Sequence, residues 1–425
     1  MANRKMPSAY RRNVAAFLAD IGGFGAGVGF IHPVTVMPVL VRQLTSSALV
    51  VGLMTTVWIG GFLLPQLWAG RWLSDKPRKL PYVVWFINIG RLGLLVPALL
   101  CALVSPSNAN VLLIGLFAGI IIFRVTDAIA SVGWYDILSR AIPANRRGRV
   151  LGAGQILAGL GAMVSALVVR WALGTVGPEF PRNFALLFGL TMIGMAISSI
   201  AIMSLVEPED SAGTQPSPKD DFIAHASHIL RTDRAFRTLI TVRLLSGLTG
   251  LAVPFYVVHA TRELSLPVTF VGLAVAAQNI STIVSSLGWG TLAERATSRR
   301  VIQASTLAAC LAPLGALVLH SLYTGNNLQS QLLGAGYLVV FAVLSAVDNS
   351  ILLGYLNYVM EIAPPGQRTA YMGLTNTISG LLVTLPVAGG ALLQVTSYPV
   401  LFAVAAMGAG IGFAVSLRLP RLGKE

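Results

Sequence analysis

Six ionisable residues lie inside long apolar runs of this chain, where charged side chains are rare. They are Asp20, Arg91, Arg124, Asp127, Arg243 and Asp348. A charge in a hydrocarbon environment costs about 2.5 kcal/mol or more, so such residues usually pair with one another or face a water-filled cavity. Groups in such positions can bind ions and polar solutes or carry protons. The spacing of these residues is therefore the first evidence on what the chain does.

The spacing favours one cluster in the first half of the chain. Arg124 and Asp127 are three residues apart, so they share a face if their run is a helix. Asp20 lies about 12 Å along its own run from Arg12, and Asp127 lies about 15 Å from the inner end of its run, so contact with Arg124 is possible for both acids. One cation between two acids leaves a surplus carboxylate, from which a proton carrier could be built. The alternative is a fully ionised pair that only holds helices together.

The elements that must position these residues are twelve apolar runs between Asn13 and Leu419, each about twenty residues long. A helix of that length crosses a hydrocarbon core about 30 Å thick. Lipid offers no hydrogen bonds to the backbone, so a span is a helix or part of a closed barrel, and the alternating segments typical of barrel strands are absent from the sequence. The sequence therefore predicts an all-α membrane protein with twelve transmembrane helices.

Composition and charge placement agree with this prediction. The chain is 55% hydrophobic and only 11% charged, whereas charged residues make up about 25% of soluble domains. The net charge of +14 could indicate nucleic acid, but the lysines and arginines collect in alternate connections, as they do on the cytoplasmic side of membrane proteins. We expect no nucleic-acid partner, and we expect both termini on the cytoplasmic side of a prokaryotic inner membrane. Cys101 and Cys310 lie in apolar runs and indicate neither a disulfide framework nor a metal site.

The two halves of the chain are related in sequence. One constant shift superposes Asp127 on Asp348, Pro143 on Pro364, and Arg147 on Arg368. We predict an N-terminal six-helix half over residues 1–206, a cytoplasmic linker over 207–235 and a C-terminal six-helix half over 236–425. Apolar residues at helical spacing late in the linker indicate an amphipathic helix on the inner membrane surface, and a simple tether is the alternative. Repeats of this size occur in transporters.

A similar loop follows the second and the eighth apolar runs, with an acid ahead of several cations. The first loop runs from Gly70 through Asp75 to Arg78 and Lys79, and the second contains Glu294 and Arg299. Both resemble the G-x-L-a-D-r-x-g-R-K loop of the major facilitator superfamily, although Arg71 stands where the leading glycine belongs and Glu294 replaces the aspartate. In run count, orientation and repeat, the resemblance covers nearly the whole chain. It implies the fold of that family, two six-helix halves.

The resemblance also implies roles for particular residues. In the family the first, fourth, seventh and tenth spans line a central cavity, which makes Asp20, Arg124, Asp127, Arg243 and Asp348 the candidate substrate- and ion-binding residues. Arg91 lies on a span of the peripheral class, so we expect it to pack or to extend toward the interface. The acid-and-cation loops are associated with a cytoplasmic latch between the halves, and ordinary cation-rich loops are the alternative. The predicted latch residues are Asp75, Arg78, Glu294, Arg299, Arg147 and Arg368.

Two further features are expected to be structural. The fifth span contains Gly152, Gly154, Gly159 and Gly161 but lacks the intact G-P-x-x-G-G signature of antiporters, so the sequence does not decide between import and export. We expect these glycines to be close-packing positions. His32 and His259 lie toward the ends of their spans. We expect both histidines to be polar residues with satisfied hydrogen bonds, not coupling sites.

These features together predict a secondary active transporter that moves a small organic solute by alternating access. The sequence has no G-x-x-x-x-G-K-S/T loop for ATP, so the energy would come from a gradient, most simply of protons. The leading interpretation is proton-coupled efflux of amphipathic compounds, because the spans are so apolar. The alternative is uptake of a polar or anionic solute bound by Arg124 and Arg243. A transport-dead sensor or a membrane enzyme is the rival of another class, but no catalytic constellation is evident. We expect a monomer without cofactor or metal, whose partners are the solute, protons and the bilayer.

Overall fold

The computed structural model describes residues 8–74, 76–208, 229–295, 297–325, 329–364 and 367–421. Within these ranges the regular structure is helical throughout, with no strand. Twelve stretches are long and apolar enough to cross a membrane by length and composition. The predicted all-α class with twelve transmembrane helices is therefore confirmed.

The described residues group into two compact units, the first formed mainly by helices α1 to α7. Six of these helices are membrane spans, and α2 is a short helix after the first span. The bounds are α1 (Ser8–Phe30), α2 (Val36–Leu44), α3 (Ala48–Ser74), α4 (Leu80–Leu103), α5 (Ala109–Ala141), α6 (Ala144–Ala172) and α7 (Arg182–Met203).

Glycines allow α1 and α6 to approach each other closely. A Cβ added at Gly161 of α6 would lie 2.5 Å from the Cβ of Ala26, and one added at Gly154 would lie 2.7 Å from Cδ1 of Ile21. Small residues at such positions let two backbones pack against each other in a membrane, where burial of apolar surface drives association little. The close-packing role expected of Gly154 and Gly161 is confirmed. It is wrong for Gly152, where an added Cβ would meet nothing within 4 Å.

An ionic cluster ties three helix ends of the first unit together. The Glu207 carboxylate accepts the backbone N–H groups of Lys79 at 2.8 Å and Leu80 at 2.9 Å, where α4 begins. It also accepts a hydrogen bond from Nη2 of Arg140 at 2.7 Å. Asp136 lies between Nζ of Lys79 and Nη2 of Arg140, at 3.0 and 2.6 Å. A carboxylate at the start of a helix satisfies free N–H groups and opposes the positive end of the helix dipole, so this cluster fixes the ends of α4, α5 and α7.

The second unit is formed mainly by the helices that follow the linker, and several of its spans combine more than one helix type. The seventh span joins α8 to α9 through a 3₁₀ turn and ends in a π-helix, and the tenth span contains a second π-helix. The bounds are α8 (Arg234–Gly247), α9 (Phe255–Val258), α10 (Phe270–Arg295), α11 (Ser298–Thr324), α12 (Ser330–Ile351), α13 (Asn357–Ile362), α14 (Arg368–Ser379), α15 (Leu385–Val395) and α16 (Tyr398–Ser416); the π-helices are His259–Glu263 and Leu352–Leu356.

The start of α8 is anchored by a side-chain cap. Asp233 accepts the N–H of Phe236 at 2.9 Å and the hydroxyl of Tyr371 at 2.8 Å. The first half of the predicted amphipathic helix, with Phe222, Ile223 and Ala226, falls in residues 209–228, which lie outside the described part of the chain. At its end, Ile229 is buried, and Leu230 packs on the same apolar cluster of the second unit. The prediction of a surface helix stays untested.

Candidate ion- and substrate-binding site

Helix α5 presents the first charged pair of the site. It runs for 33 residues without an internal proline, so its hydrogen-bond ladder is unbroken between Arg124 and Asp127. Nη1 of Arg124 lies 3.1 Å from Oδ2 of Asp127, which makes an ion pair three residues apart on one face. The Arg124 side chain is 11% exposed and the Asp127 side chain 20%. Asp127 is therefore the more accessible member of the pair.

Arg124 has several partners besides Asp127. Its Nε donates to the backbone carbonyl of Trp58 at 2.8 Å. Its guanidinium carbon also lies 4.5 Å from the ring centre of Phe62, 4.9 Å from Trp58 and 5.8 Å from Phe123. Aromatic faces attract cations. Arg124 would keep these contacts if Asp127 were neutralised. Protonation of Asp127 would therefore not leave the Arg124 charge without favourable partners.

Asp20 lies in a second polar group of the same unit. Its Oδ2 accepts a hydrogen bond from Nε1 of Trp134 at 2.7 Å, and its Oδ1 accepts one from the hydroxyl of Ser198. Ser198 in turn accepts a hydrogen bond from Nη2 of Arg91 at 2.7 Å. Among the described residues Asp20 forms no ion pair with Arg124. The structure therefore connects Asp20 to Arg91 on α4, through α7.

Arg91 does not extend toward an interface, so the role expected for it is wrong in that respect. The residue is 7% exposed, and its guanidinium donates to the hydroxyls of both Ser198 and Ser199. Ser199 then donates to Oδ1 of Asn88 at 3.0 Å. With Arg91 included, the two carboxylates of Asp20 and Asp127 are matched by two guanidiniums. The sequence-based expectation of one unbalanced carboxylate is therefore wrong. The two serines are adjacent in the sixth apolar run, but hydroxyl groups are common in membrane spans, so the sequence does not single them out as partners of Arg91.

A small cavity separates Arg91 from Asp127. It has room for about one water molecule. The approach of α4 to α5 at this point depends on Gly90, where an added Cβ would lie 2.3 Å from Oγ1 of Thr126. The cavity therefore combines two charged groups with mainly apolar walls. Its lining residues are Phe24, Ile87, Gly90, Arg91, Phe123, Thr126 and Asp127.

The second unit contains the other two candidates, Arg243 on α8 and Asp348 on α12. The Arg243 guanidinium lies over the ring of Tyr355, 5.3 Å from its centre, and the Tyr355 hydroxyl is 3.1 Å from Oγ of Ser246. Arg243 attracts Asp348 electrostatically, but the described residues include no ion pair within 4.0 Å between them. Asp348 is also the more exposed of the two. The pair is therefore looser than Arg124 and Asp127.

The histidines have hydrogen-bond partners, as expected. Nδ1 of the fully buried His259 contacts the hydroxyl of Tyr337, and its Nε2 lies 3.0 Å from Nδ1 of His320. Nδ1 of His32 lies 3.1 Å from the hydroxyl of Thr35. These contacts are those of satisfied polar residues.

Two of the predicted latch residues bind carbonyls within their own units. Arg147 donates from Nε to the carbonyl of Ile142 at 2.8 Å and from Nη2 to the carbonyl of Ser139. Both carbonyls lie at the end of α5, where a cation satisfies free acceptors and the negative end of the helix dipole. Arg299 donates from Nη2 to the carbonyl of Leu417 at 3.0 Å. Both arginines thus have a local structural role.

The rest of the predicted latch stays a prediction. Asp75 lies outside the described residues, as do the side chains of Glu294 and Arg368. Arg78 is described, and its side chain is exposed.

Comparisons with known proteins agree on one family. The sequence model of the Major Facilitator Superfamily matches residues 19–382 and again 244–425. No curated protein matches the sequence significantly. One similar solved structure is a bacterial homologue of the iron transporter ferroportin in an inward-facing state, with 15% identity, 98% of this chain and 99% of that chain covered, and a TM-score of 0.71.

Two other solved structures show the same architecture. An auto-inhibited peptide transporter of the POT family has 15% identity, covers 97% of this chain and 98% of its own, and has a TM-score of 0.69. A D-xylose-proton symporter has 13% identity, 97% and 98% coverage, and a TM-score of 0.66. At such low identity these structures show the fold alone.

Proposed function

Because the chain belongs to the Major Facilitator Superfamily, we propose that it is a proton-coupled secondary transporter that exports small amphipathic organic solutes by alternating access. The family match and the transporter structures indicate a transporter, not an enzyme. The finer proposal rests on one observation. Asp127 is a carboxylate within a membrane span, and its partner Arg124 has a carbonyl and three aromatic rings to hold it when Asp127 is neutral.

The balance of charges among the buried residues of the first unit supports exchange of a solute for a proton. With Asp20 and Asp127 ionised, their two charges balance those of Arg91 and Arg124. A proton on Asp127 leaves the group with one net positive charge, which disfavours a cationic solute nearby. Proton binding and binding of a cationic amphipathic solute therefore oppose each other, and this competition is what export driven by an inward proton gradient requires.

Uptake of a polar or anionic solute is the second candidate, and Arg243 is the observation that favours it. Arg124 already has an ion-pair partner and three ring contacts, so it has little capacity for a further anion. Arg243 is half-buried over Tyr355, without a carboxylate within 4.0 Å in the described part of the chain. A solute carboxylate or phosphate could bind there as a charge-assisted partner.

Transport assays in liposomes that contain the purified protein distinguish the two candidate functions. The probe for export is ethidium, a fluorescent amphipathic cation, and the probe for uptake is radiolabelled lactate, a small carboxylate. We expect liposomes with an acidic interior to accumulate ethidium, and we expect a proton ionophore to abolish this accumulation. With the gradient reversed, so that the exterior is acidic, lactate accumulation above that of protein-free liposomes, together with no ethidium movement under either gradient, would favour the second candidate. Ethidium accumulation that is the same with and without the pH gradient would contradict proton coupling.

We also propose that both termini lie in the cytoplasm of a prokaryotic cell, with the membrane as the inner membrane. Reporter proteins fused after Ser217 and after Gly325 test this orientation. We expect the reporter after Ser217 to be cytoplasmic, because its connection carries Lys219, Arg231, Arg234 and Arg237 and acids have little effect on orientation. The reporter after Gly325 should be external, because its connection is uncharged. A reporter after Ser107, in another uncharged connection, should match the one after Gly325. Finding the first two reporters on one side would contradict the proposed topology.

A further inference from the structure

The two carboxylates of the first unit are separated, and Arg91 lies between them. On one side, Arg91 reaches Asp20 through the hydroxyl of Ser198. On the other side, Arg91 and Asp127 line the same cavity. We propose that Arg91 is the shared counter-cation of Asp20 and Asp127, and that it sets the pH range over which Asp127 exchanges its proton. This inference rests on the proposed function, in which Asp127 carries the proton.

Asp20 is placed to act as the fixed anion of the three. Both of its carboxylate oxygens are acceptors, one for the indole N–H of Trp134 and one for the hydroxyl of Ser198. The Ser198 hydroxyl can donate to Asp20 because its lone pairs accept from Arg91. Trp134 and Ser198 belong to α5 and α7, so Asp20 on α1 is held from two directions. This arrangement also fixes the position of Arg91.

The cavity gives Arg91 its influence on Asp127. Its other walls are two phenylalanines, an isoleucine, a glycine and Thr126, whose hydroxyl donates within α5 to the carbonyl of Ile122 at 2.7 Å. A water molecule in this space would find a guanidinium donor and a carboxylate acceptor. Apolar walls screen charges weakly, so the charge of Arg91 acts strongly across the cavity.

In the described part of the chain, the charges that act on Asp127 are those of Arg124, Arg91 and Asp20. Arg124 lies on its own helix and contacts it directly, Asp20 approaches from α1, and Arg91 approaches from α4. Helix α7 contributes hydroxyl groups at this position, and α3 contributes the Trp58 carbonyl and aromatic rings. The effect of changing Arg91 or Asp20 should therefore reach Asp127 in addition to the constant effect of its ion pair with Arg124.

The proposal predicts shifts of opposite sign, which a merely structural role would not produce. Arg91→Gln removes a cation near Asp127, so the midpoint of its titration should move to higher pH by about one unit or more. Asp20→Asn removes an anion, so the midpoint should move to lower pH by roughly half a unit or more. Arg91→Lys keeps the charge, and its shift should stay within about half a unit of wild type.

Infrared difference spectroscopy of the purified protein in lipid nanodiscs measures this titration without any solute. The protonated carboxyl band of Asp127 is identified by its loss in Asp127→Asn, and its intensity is followed from about pH 4 to pH 10. Arg149→Gln removes an exposed cation of the same unit and should leave the midpoint unchanged. If Arg91→Gln does not fold, the direction of the shift in Asp20→Asn decides, and Arg91→Lys serves as the control that keeps the charge.

The outcomes separate this inference from the proposed function. An Asp127 band whose midpoint is the same in wild type, Arg91→Gln and Asp20→Asn would overturn the role of Arg91, as would shifts of the same sign in the two variants. Either result leaves proton coupling by Asp127 standing. By contrast, an Asp127→Asn variant that still accumulates ethidium in acidic liposomes would overturn the proposed function, whatever the spectra show.

Discussion

Asp127→Asn is expected to abolish ethidium accumulation in acidic liposomes, while exchange of labelled for unlabelled ethidium across the membrane persists. An asparagine amide neither takes up nor releases a proton at these pH values, so the proton gradient no longer drives the cycle. The residue still fills the same space, and Arg124 keeps the Trp58 carbonyl and its aromatic contacts. Binding and coupling should therefore separate in this variant: accumulation falls to the passive level, whereas exchange persists but needs a higher ethidium concentration, because the neutral amide leaves the site with the net positive charge of the protonated state.

A matched control lies on the same helix. Asp136→Asn makes the same chemical change near the end of α5, where the carboxylate contacts Lys79 and Arg140 outside the candidate site. We expect this variant to accumulate ethidium at the wild-type level, with at most a modest loss of stability from an ion pair one-third exposed. Asp127→Glu, which keeps a titratable carboxyl group, should retain part of the coupling.

Two results would contradict the role of Asp127 as the proton carrier. Wild-type accumulation in Asp127→Asn would rule it out as the carrier and would direct attention to Asp348, its counterpart in the sequence repeat. A loss of folded protein in Asp127→Asn would instead indicate that the pair with Arg124 is structural, because removing one partner of a buried ion pair leaves the other uncompensated. The size-exclusion profile of each purified variant distinguishes these two results.

The fold was accessible from the sequence because the membrane restricts it so strongly. A segment such as α5, 33 residues long, mainly apolar and free of proline, is a helix in lipid, because a helix satisfies its backbone hydrogen bonds within the segment. The interruptions of the α-helices by other helix types could not be predicted from the sequence. The π-helix at His259 and the 3₁₀ turn that precedes α9 depend on how neighbouring helices pack, and the local sequence does not reveal that packing.

The charged residues of the site could be found from sequence, but their partners could not. An ionisable residue in an apolar run stands out, which is why Asp20, Arg124 and Asp127 were recognised. Which side chains meet depends on the rotation of each helix about its axis. Ser198 and Ser199 turn toward Arg91, and hydroxyl groups are too common in spans to indicate this contact in advance. The pair of Arg124 and Asp127 was the exception, because its three-residue spacing on one helix is local.

Glycine positions illustrate the same limit within a single helix. Gly152 and Gly161 lie on α6 in similar apolar surroundings, and the sequence assigns both a packing role. The structure separates them, because only Gly161 faces the backbone of α1. The helix period decides which glycine faces a neighbour, but the direction of the neighbour comes from the assembled unit.

Gly161→Leu is therefore expected to destabilise the first unit far more than Gly152→Leu. At Gly161 even a Cβ would lie 2.5 Å from that of Ala26, well inside ordinary contact, so α1 and α6 must move apart and carry Asp20 out of place. We expect a loss of about 3 kcal/mol or more, seen as a large fall in the thermal midpoint of the purified protein in detergent. Gly152→Leu adds the same side chain where an added Cβ meets nothing within 4 Å, and its effect should stay within about 0.5 kcal/mol. Equal midpoints for the two variants would contradict the close approach of α1 and α6, and with it the placement of Asp20 against Trp134 and Ser198.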